Sequence, residues 1–233
     1  MIAISFQAGL GVALRIDVIS DVVCPWCYIG KRRLERALEL YREQDPQAPA
    51  PVVNWHPFQL NPDLPEDGLE RAEYLRSKFG GRADEIYARI TAVGETVGIS
   101  FAFDKLVRQP NTLAAHSLIE HAAEAGLQDA LVEALFRAYF IEGEDLTSGE
   151  TLSRIAASAG LLPADISACL ASAEARQRIR SADLRARELG VEGVPFFVIN
   201  QRYAVAGAQE PEALRGAMLQ VEREGEESSP GPV

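Results

Sequence analysis

Cysteine is scarce in this sequence: 3 of 233 residues, an odd count that does not make a disulfide framework. None is needed, because a chain of this length buries a substantial core without staples. Positive charge is also short. Lys and Arg number 23 against 34 Asp and Glu, a formal net charge of −11. That balance argues against non-specific binding to nucleic acid or to an anionic membrane, both of which need basic patches. No apolar run approaches the ~20 residues of a membrane span. The three histidines, His56, His116 and His121, make no metal-like cluster with the cysteines, and no second C-x-x-C completes a four-ligand zinc site, so no metal is expected. Met1 to Ala13 carries no Lys or Arg, so the basic start of a secretory signal is missing. With a strand beginning at Leu14, residues 1–13 read as a loose N-terminal extension, and a cytoplasmic location is the expectation. No internal repeat is found.

What is present is ordinary globular composition, 47% hydrophobic and 24% charged, arranged in an informative order. Leu14 to Ser20 alternates apolar and polar residues and predicts a strand. A helical pattern follows from Pro25 to Tyr41, with Leu34, Ala37, Leu38 and Tyr41 as its apolar stripe and Pro25 at the first helical position. Val52 to Phe58 predicts a second strand. From Asp67 to Gly190 only helical segments are expected. They include one from an Asn-Thr cap at Thr112 to Ala125, one over Gln128 to Ile141, and one opened by a Thr147–Glu150 capping box. The next begins at Pro163, and the last places Ala175, Ile179, Ala182, Ala186 and Leu189 on one face. Strands return at Pro195 to Asn200 and Tyr203 to Ala206, joined by a hairpin at Asn200-Gln201-Arg202. A helix over Glu210 to Arg223 closes the fold. The order β-α-β, helical block, β-β-α is that of an α/β, thioredoxin-like fold with a large all-helical insertion. The expected divisions are 1–13 for the extension, 14–63 and 190–224 for the two parts of the thioredoxin-like domain, 64–189 for the insertion, and 225–233 for a disordered tail.

The chemistry is expected at Cys24-Pro25-Trp26-Cys27. A disulfide exchanger needs a thiolate and a second thiol close enough to release a mixed disulfide. At a helix N-terminus the backbone N–H groups and the dipole favour negative charge, so Cys24 is expected below the free thiol value of roughly 8.5 and is assigned as nucleophile. Cys27, one turn in and less exposed, is assigned as the resolving thiol. Val194-Pro195 stands directly before a strand. A cis bond there would turn the Val194 backbone towards the cysteines, leaving it free to pair with a substrate chain as an added strand would.

The blocks VISDVVCPWCYIGKRRLE, WHPFQLNP, NTLAAH, GVPFFVIN and VAGAQEPE, in that order, resemble the DsbA superfamily and match its FrnE-like branch most closely. The resemblance runs from Leu14 to about Glu222. It implies a thioredoxin domain with a helical insertion, a cis-proline loop at Val194 and Pro195, and dithiol exchange at Cys24 and Cys27. The architecture is shared with kappa-class glutathione transferases and hydroxychromene-carboxylate isomerases, which typically carry serine at the Cys24 position. Their glutathione contacts, carried over, would fall near Asn61, Val194, Ala208 and Gln209.

Other residues leave alternatives open. Asp21 either tunes or relays protons for Cys24, or is a capping or solvent-facing residue. Trp26 is expected to border the groove. Thr112 and His116, four apart on one helical face, either overhang the site or are structural. His56 is read as packing and Cys169 as a small buried hydrophobe. The leading function is an enzyme that reduces, oxidises or isomerises disulfides. Its partners would be protein thiols and disulfides or small thiols such as glutathione, a co-substrate and not a tightly bound cofactor. A homodimer is compatible with it. The second reading is a glutathione-dependent isomerase or transferase acting on a small aromatic or polyketide-like compound. The third is a chaperone-like binding module.

Overall fold

The computed structural model describes residues 13–44 and 46–227. The extension before Ala13 and the tail beyond Glu227 therefore lie outside the described residues. In chain order the elements open with β1 (Arg15–Ser20), α1 (Pro25–Gln44) and β2 (Val52–Pro57). The middle block holds β3 (Leu69–Glu70), α2 (Arg71–Phe79), α3 (Ala83–Thr96), β4 (Arg108–Gln109), α4 (Leu113–Glu124) and α5 (Gln128–Arg137). It continues through α6 (Gly149–Ser158), α7 (Pro163–Ala171) and α8 (Ala173–Glu188). The chain then returns to β5 (Phe196–Ile199), β6 (Tyr203–Ala206) and α9 (Pro211–Glu227).

The main sheet has the order β2-β1-β5-β6. β1 runs parallel to β2, and β5 is antiparallel to both β1 and β6. The parallel step needs a crossover, which α1 supplies; the antiparallel step needs only a tight turn. Arg202 N–H donates to Ile199 O at 3.0 Å, and Asn200 and Gln201 take φ values of 47° and 57°, the left-handed pair that a two-residue hairpin demands.

Strand alternation divides the burial. Ile16, Val18, Phe197 and Ile199 join the main core with Leu34 and Ala37 of α1 and Leu214 and Met218 of α9. Ile19 packs in a smaller cluster with Phe58, Val191, Phe196, Val198 and Ala186 of α8. Each Val, Leu, Ile, Phe or Met among these, when fully buried, contributes roughly 1.5–3 kcal/mol of transfer free energy. The other side of α1 meets the helical block, where the Tyr28 ring stacks on Phe136 with centroids 4.9 Å apart. Asp183 of α8 accepts the Gln59 N–H at 2.7 Å and pairs with Arg187, whose guanidinium also donates to Gln59 O at 2.5 Å. α8 is thereby fixed to the loop after β2.

Several expectations need correction. The middle block is not free of strands, because β3 and β4 pair Leu69 with Gln109 and Glu70 with Arg108. Two residues a side are too short to leave a period in the sequence. The cap of α6 is Ser148, which accepts the Thr151 N–H; Thr147 turns to Asp145 instead. Of the Asn-Thr cap expected at α4, Asn111 does the capping, its side chain accepting the Leu113 N–H, and Thr112 makes no side-chain cap. The segment after Arg137 widens into a π-turn over Ala138–Glu142. Leu189, placed on the apolar face of α8, is 85% exposed, and the buried position there is Asp183. α9 runs to Glu227, so its end overlaps the segment expected to be disordered.

Candidate active site

The link from β1 to α1 builds the thiol pair. Cys24 N–H donates to Asp21 O at 3.0 Å, and Cys24 O accepts from Cys27 N–H at 3.0 Å and Tyr28 N–H at 3.4 Å. Cys24 therefore occupies the entry of α1, where helix N–H groups lack intrahelical partners and favour an anion. Both cysteines are free thiols. Cys27 is 1% exposed, and Cys24 itself only 5%, so the expected nucleophile is more enclosed than its place in a turn suggested. Cys24 Sγ lies 3.6 Å from Val194 O, and the Val194–Pro195 peptide is cis.

Burial pushes the Cys27 thiol well above the usual thiol range, and its hydrogen bond to Cys24 and the charge of Cys24 push the same way. The Ser20 side chain and the Asp21 backbone hydrogen-bond the sulfur and oppose the rise. Cys27 thus keeps its proton and offers it to Cys24. Ser20, the last residue of β1, was not singled out in the sequence.

Gly30 was also missed. A Cβ built on it would stand 2.8 Å from Pro195 Cγ and 3.4 Å from Phe197 Cζ. A mid-helix glycine costs about 1 kcal/mol relative to alanine; here it lets the Pro195 ring lie against α1. A glycine inside an otherwise apolar-periodic helix was the available signal.

The supporting residues fall as follows. Asp21 is fully buried, so the solvent-facing alternative is wrong. Its Oδ2 accepts the Leu60 N–H at 2.8 Å, and its Oδ1 lies 3.3 Å from His116 Nε2. His116 and Thr112 are both buried, so α4 carries them inward and not over an open groove. Trp26 is half-buried and packs against the edge of the main core. Asn61, beside the tethered Leu60, approaches Tyr74 OH with its Nδ2 at 3.5 Å. Gly207 N–H donates to Pro195 O at 2.8 Å, which brings Ala208 and Gln209 alongside the proline. Their polar groups are engaged: Ala208 O accepts from Arg33, and the Gln209 amide donates to Ala206 O at 2.8 Å. His56 is not simply packed, since its Nε2 meets Asp17 Oδ1 at 2.8 Å on a half-exposed edge. Cys169 is buried in α7, far along the chain from the pair. Among the described residues no group of three or more His, Cys, Asp or Glu is placed to hold a metal ion. No helix among them is long and apolar enough to cross a membrane.

The arrangement suits sulfur chemistry: one thiol at a helix start beside a strand-edge carbonyl, and a protonated thiol beneath it. Comparison with known proteins agrees. The family profile described as "DSBA-like thioredoxin domain" matches residues 15–219. The crystal structure of a probable DsbA oxidoreductase from Streptomyces coelicolor superposes with a TM-score of 0.82 at 30% identity, covering 94% of this chain and 93% of that one. The curated protein YwbO of Bacillus subtilis is 26% identical over 187 residues, 80% of this chain and 86% of its own length. The cytosolic disulfide reductase DsbM of Pseudomonas aeruginosa, solved with GSH, shares the fold at a TM-score of 0.59 and 17% identity, covering 90% of this chain and 99% of that one.

Proposed function

The chain belongs to the DSBA-like thioredoxin domain family, and from that premise we propose that it is a thiol–disulfide oxidoreductase working through a mixed disulfide on Cys24. The observation that carries this reading is the placement of Cys24 at the entry of α1, 3.6 Å from Val194 O, with Cys27 buried one turn in.

Cys24, as thiolate, attacks one sulfur of a substrate disulfide. The Cys24–substrate bond forms, the substrate S–S bond breaks, and the electron pair leaves on the second substrate sulfur, which takes a proton. Cys27 then loses its proton and attacks Cys24 Sγ. This closes the Cys24–Cys27 disulfide and releases the first substrate sulfur as a thiolate. Mixed-disulfide formation removes the charge of Cys24, one of the causes that hold Cys27 protonated, and burial remains as the largest. The mixed disulfide thus removes one of the causes that oppose ionisation of the resolving thiol. The Val194 backbone pairs with the substrate segment next to its sulfur, with Pro25 and Trp26 forming the adjoining wall. The same steps run backwards when the protein starts oxidised. Glutathione acts as a co-substrate. A reducing compartment such as the cytoplasm would hold the pair as thiols ready for substrate disulfides.

The test is trapping. Cys27→Ser should accumulate covalent partners on non-reducing gels that a reductant dissolves, Cys24→Ser should trap few, and Cys169→Ser should match the parent. Trapping by Cys24→Ser and not by Cys27→Ser would reverse the roles. No trapping by either, with no insulin reduction, would replace this reading with a glutathione-dependent isomerase or transferase.

A further inference from the structure

Each time Cys27 attacks Cys24, a proton must leave a buried sulfur. In the mixed disulfide Cys24 carries no charge, so it no longer receives that proton. Besides Cys24, the side chain that hydrogen-bonds the Cys27 sulfur is Ser20, the last residue of β1. A hydroxyl both accepts and donates, so it can take one proton and pass on its own.

Ser20 also lines a small void of about 10 Å³ inside the protein, together with His116 of α4 and His56 of β2. That is the size of a single water, which needs two to four polar partners when buried. The hydroxyl and the two rings supply them. The same two rings line a cleft of about 310 Å³, and the His56 side chain is 44% exposed, so the cleft reaches solvent. None of Cys24, Trp26, Val194 and Pro195 lines it. Polar groups therefore run from Cys27 to solvent without crossing the substrate side of the thiols.

The two rings are not equivalent. His56 Nε2 meets Asp17 at 2.8 Å, but Asp17 is already paired with Arg15. His116 Nε2 lies 3.3 Å from Oδ1 of the fully buried Asp21, which has no Lys or Arg partner among the described residues. A proton arriving at His116 thus meets a carboxyl group that no fixed cation neutralises, and an opposite charge at that distance favours the protonated ring. The other Asp21 oxygen is held by the Leu60 N–H at 2.8 Å, which fixes the carboxyl towards His116.

We propose that Ser20 and His116 form the proton exit of the resolving step, an assignment that rests on the dithiol function proposed above. The Cys27 proton moves to Ser20 Oγ as the Ser20 hydroxyl proton moves to a water in the void and a water proton moves to the Asp21–His116 pair. Cys27 Sγ attacks Cys24 Sγ, the Cys24–substrate bond breaks, and the electron pair leaves on the substrate sulfur. The relay carries one proton and no electrons, and His116 returns that proton to solvent through the cleft. Ser20 touches the reacting thiol. His116 acts through Ser20 and is a positioning residue.

The experiment mixes reduced protein, in a Cys169→Ser background, with excess dithiobis(nitrobenzoate). Attack by Cys24 releases one nitrothiobenzoate, and resolution by Cys27 releases a second, so absorbance separates the two steps. This thiolate leaves without needing a proton, so the second phase reports the proton of Cys27. His116→Gln keeps a polar partner for Asp21 but does not titrate. It should slow the second phase about tenfold relative to the first, and so should Ser20→Ala. Imidazole added to His116→Ala should recover the second phase roughly threefold, because the cleft admits it, and should not do so in Ser20→Ala. If His116→Ala does not fold, His116→Gln and Ser20→Ala decide. Unchanged phase ratios in both, or a slow phase in His116→Ala that imidazole leaves unmoved, would overturn the proton exit and leave the dithiol function standing. A parent protein that shows no second phase would sink the dithiol function, and this assignment with it.

Discussion

Lys31, in the middle of α1, and Arg71, at the start of α2, are buried to a similar degree and neutralised in opposite ways. Lys31 stands where α1 meets α5. Burial alone would lower its pKa, but Asp129, Glu35 and Glu133 outweigh burial and leave it raised. Among the described residues Arg71 has only an amide, a phenol and two ring faces. The difference separates two uses of a buried charge. One is closed by the protein's own carboxylates and joins two parts of the fold. The other, among the described residues, is held by neutral groups alone.

The largest effect expected from this contrast is on stability. Lys31→Met removes the cation that Glu133 Oε2, a buried oxygen with no hydrogen-bond partner, depends on for an ion pair. Breaking a fully buried pair costs about 3–5 kcal/mol. The carboxylates here keep 25–61% exposure, so water compensates in part, and about 2 kcal/mol is expected. For a chain of this size that is a fall of about 4–8 °C in Tm. Arg71→Met leaves no carboxylate stranded, only Gln109 and Tyr87 short of a donor, and should cost about 1 kcal/mol. Calorimetry on the two variants checks the order. A loss for Arg71→Met equal to or above that for Lys31→Met would make Arg71 a structural strut and end the contrast.

Acid should sharpen it. Burial alone would raise the Glu35 carboxyl, but Lys31 and Arg32 outweigh burial and hold it below its ordinary value of 4.5. A carboxyl with a depressed folded pKa adds stability that is present above its unfolded value and is lost as pH falls through the folded one. The stability gap between wild type and Lys31→Met should therefore be steady from about pH 6 to pH 9 and narrow below about pH 4. The gap between wild type and Arg71→Met has no carboxylate to titrate and should lack that step. Urea midpoints across this range measure both.

The contrast was not legible in the sequence, and the reason is physical. Lys31 lies within a long helix whose stripe is readable, yet Asp129 and Glu133 come from α5, about a hundred residues on. Arg71 opens a nine-residue helix preceded by a two-residue strand, and its partners come from positions 74, 87 and 109. Nothing local distinguishes it from a surface arginine. The same limit applies to Asp21 and His116: each stood out, but their contact spans 95 positions in sequence. By contrast, the β1–Cys24–α1 junction, the 199–202 hairpin and the position of Pro195 were readable, because local alternation, helix-start chemistry and turn residues specify them. Leu189 misled because a periodic face was carried one residue past the helix end, while burial within the helix had already passed to Asp183.

The smallest effects belong to the second cation in each cluster. Arg32 donates to Glu133 Oε1 at 2.5 Å, to Glu35 Oε2 at 2.8 Å and to Tyr28 OH at 3.1 Å, and its guanidinium lies 5.0 Å from the Tyr28 ring centroid. It is 27% exposed, so water screens these pairs, and Arg32→Gln should cost about 0.5–1 kcal/mol. Among the described residues Lys78 donates only to Tyr74 OH, and it lies beside two ring faces. Its ammonium faces Arg71 across Tyr74 with no acid between, so removing its charge relieves repulsion while losing one neutral hydrogen bond. These terms oppose each other, and Lys78→Gln should fall within about 0.5 kcal/mol of the wild type, of either sign. Urea unfolding resolves the pair, provided the m value is unchanged and the midpoint alone moves. A clear loss for Lys78→Gln, equal to that of Arg32→Gln, would mean that Lys78 holds α2 in place as Arg32 holds α1.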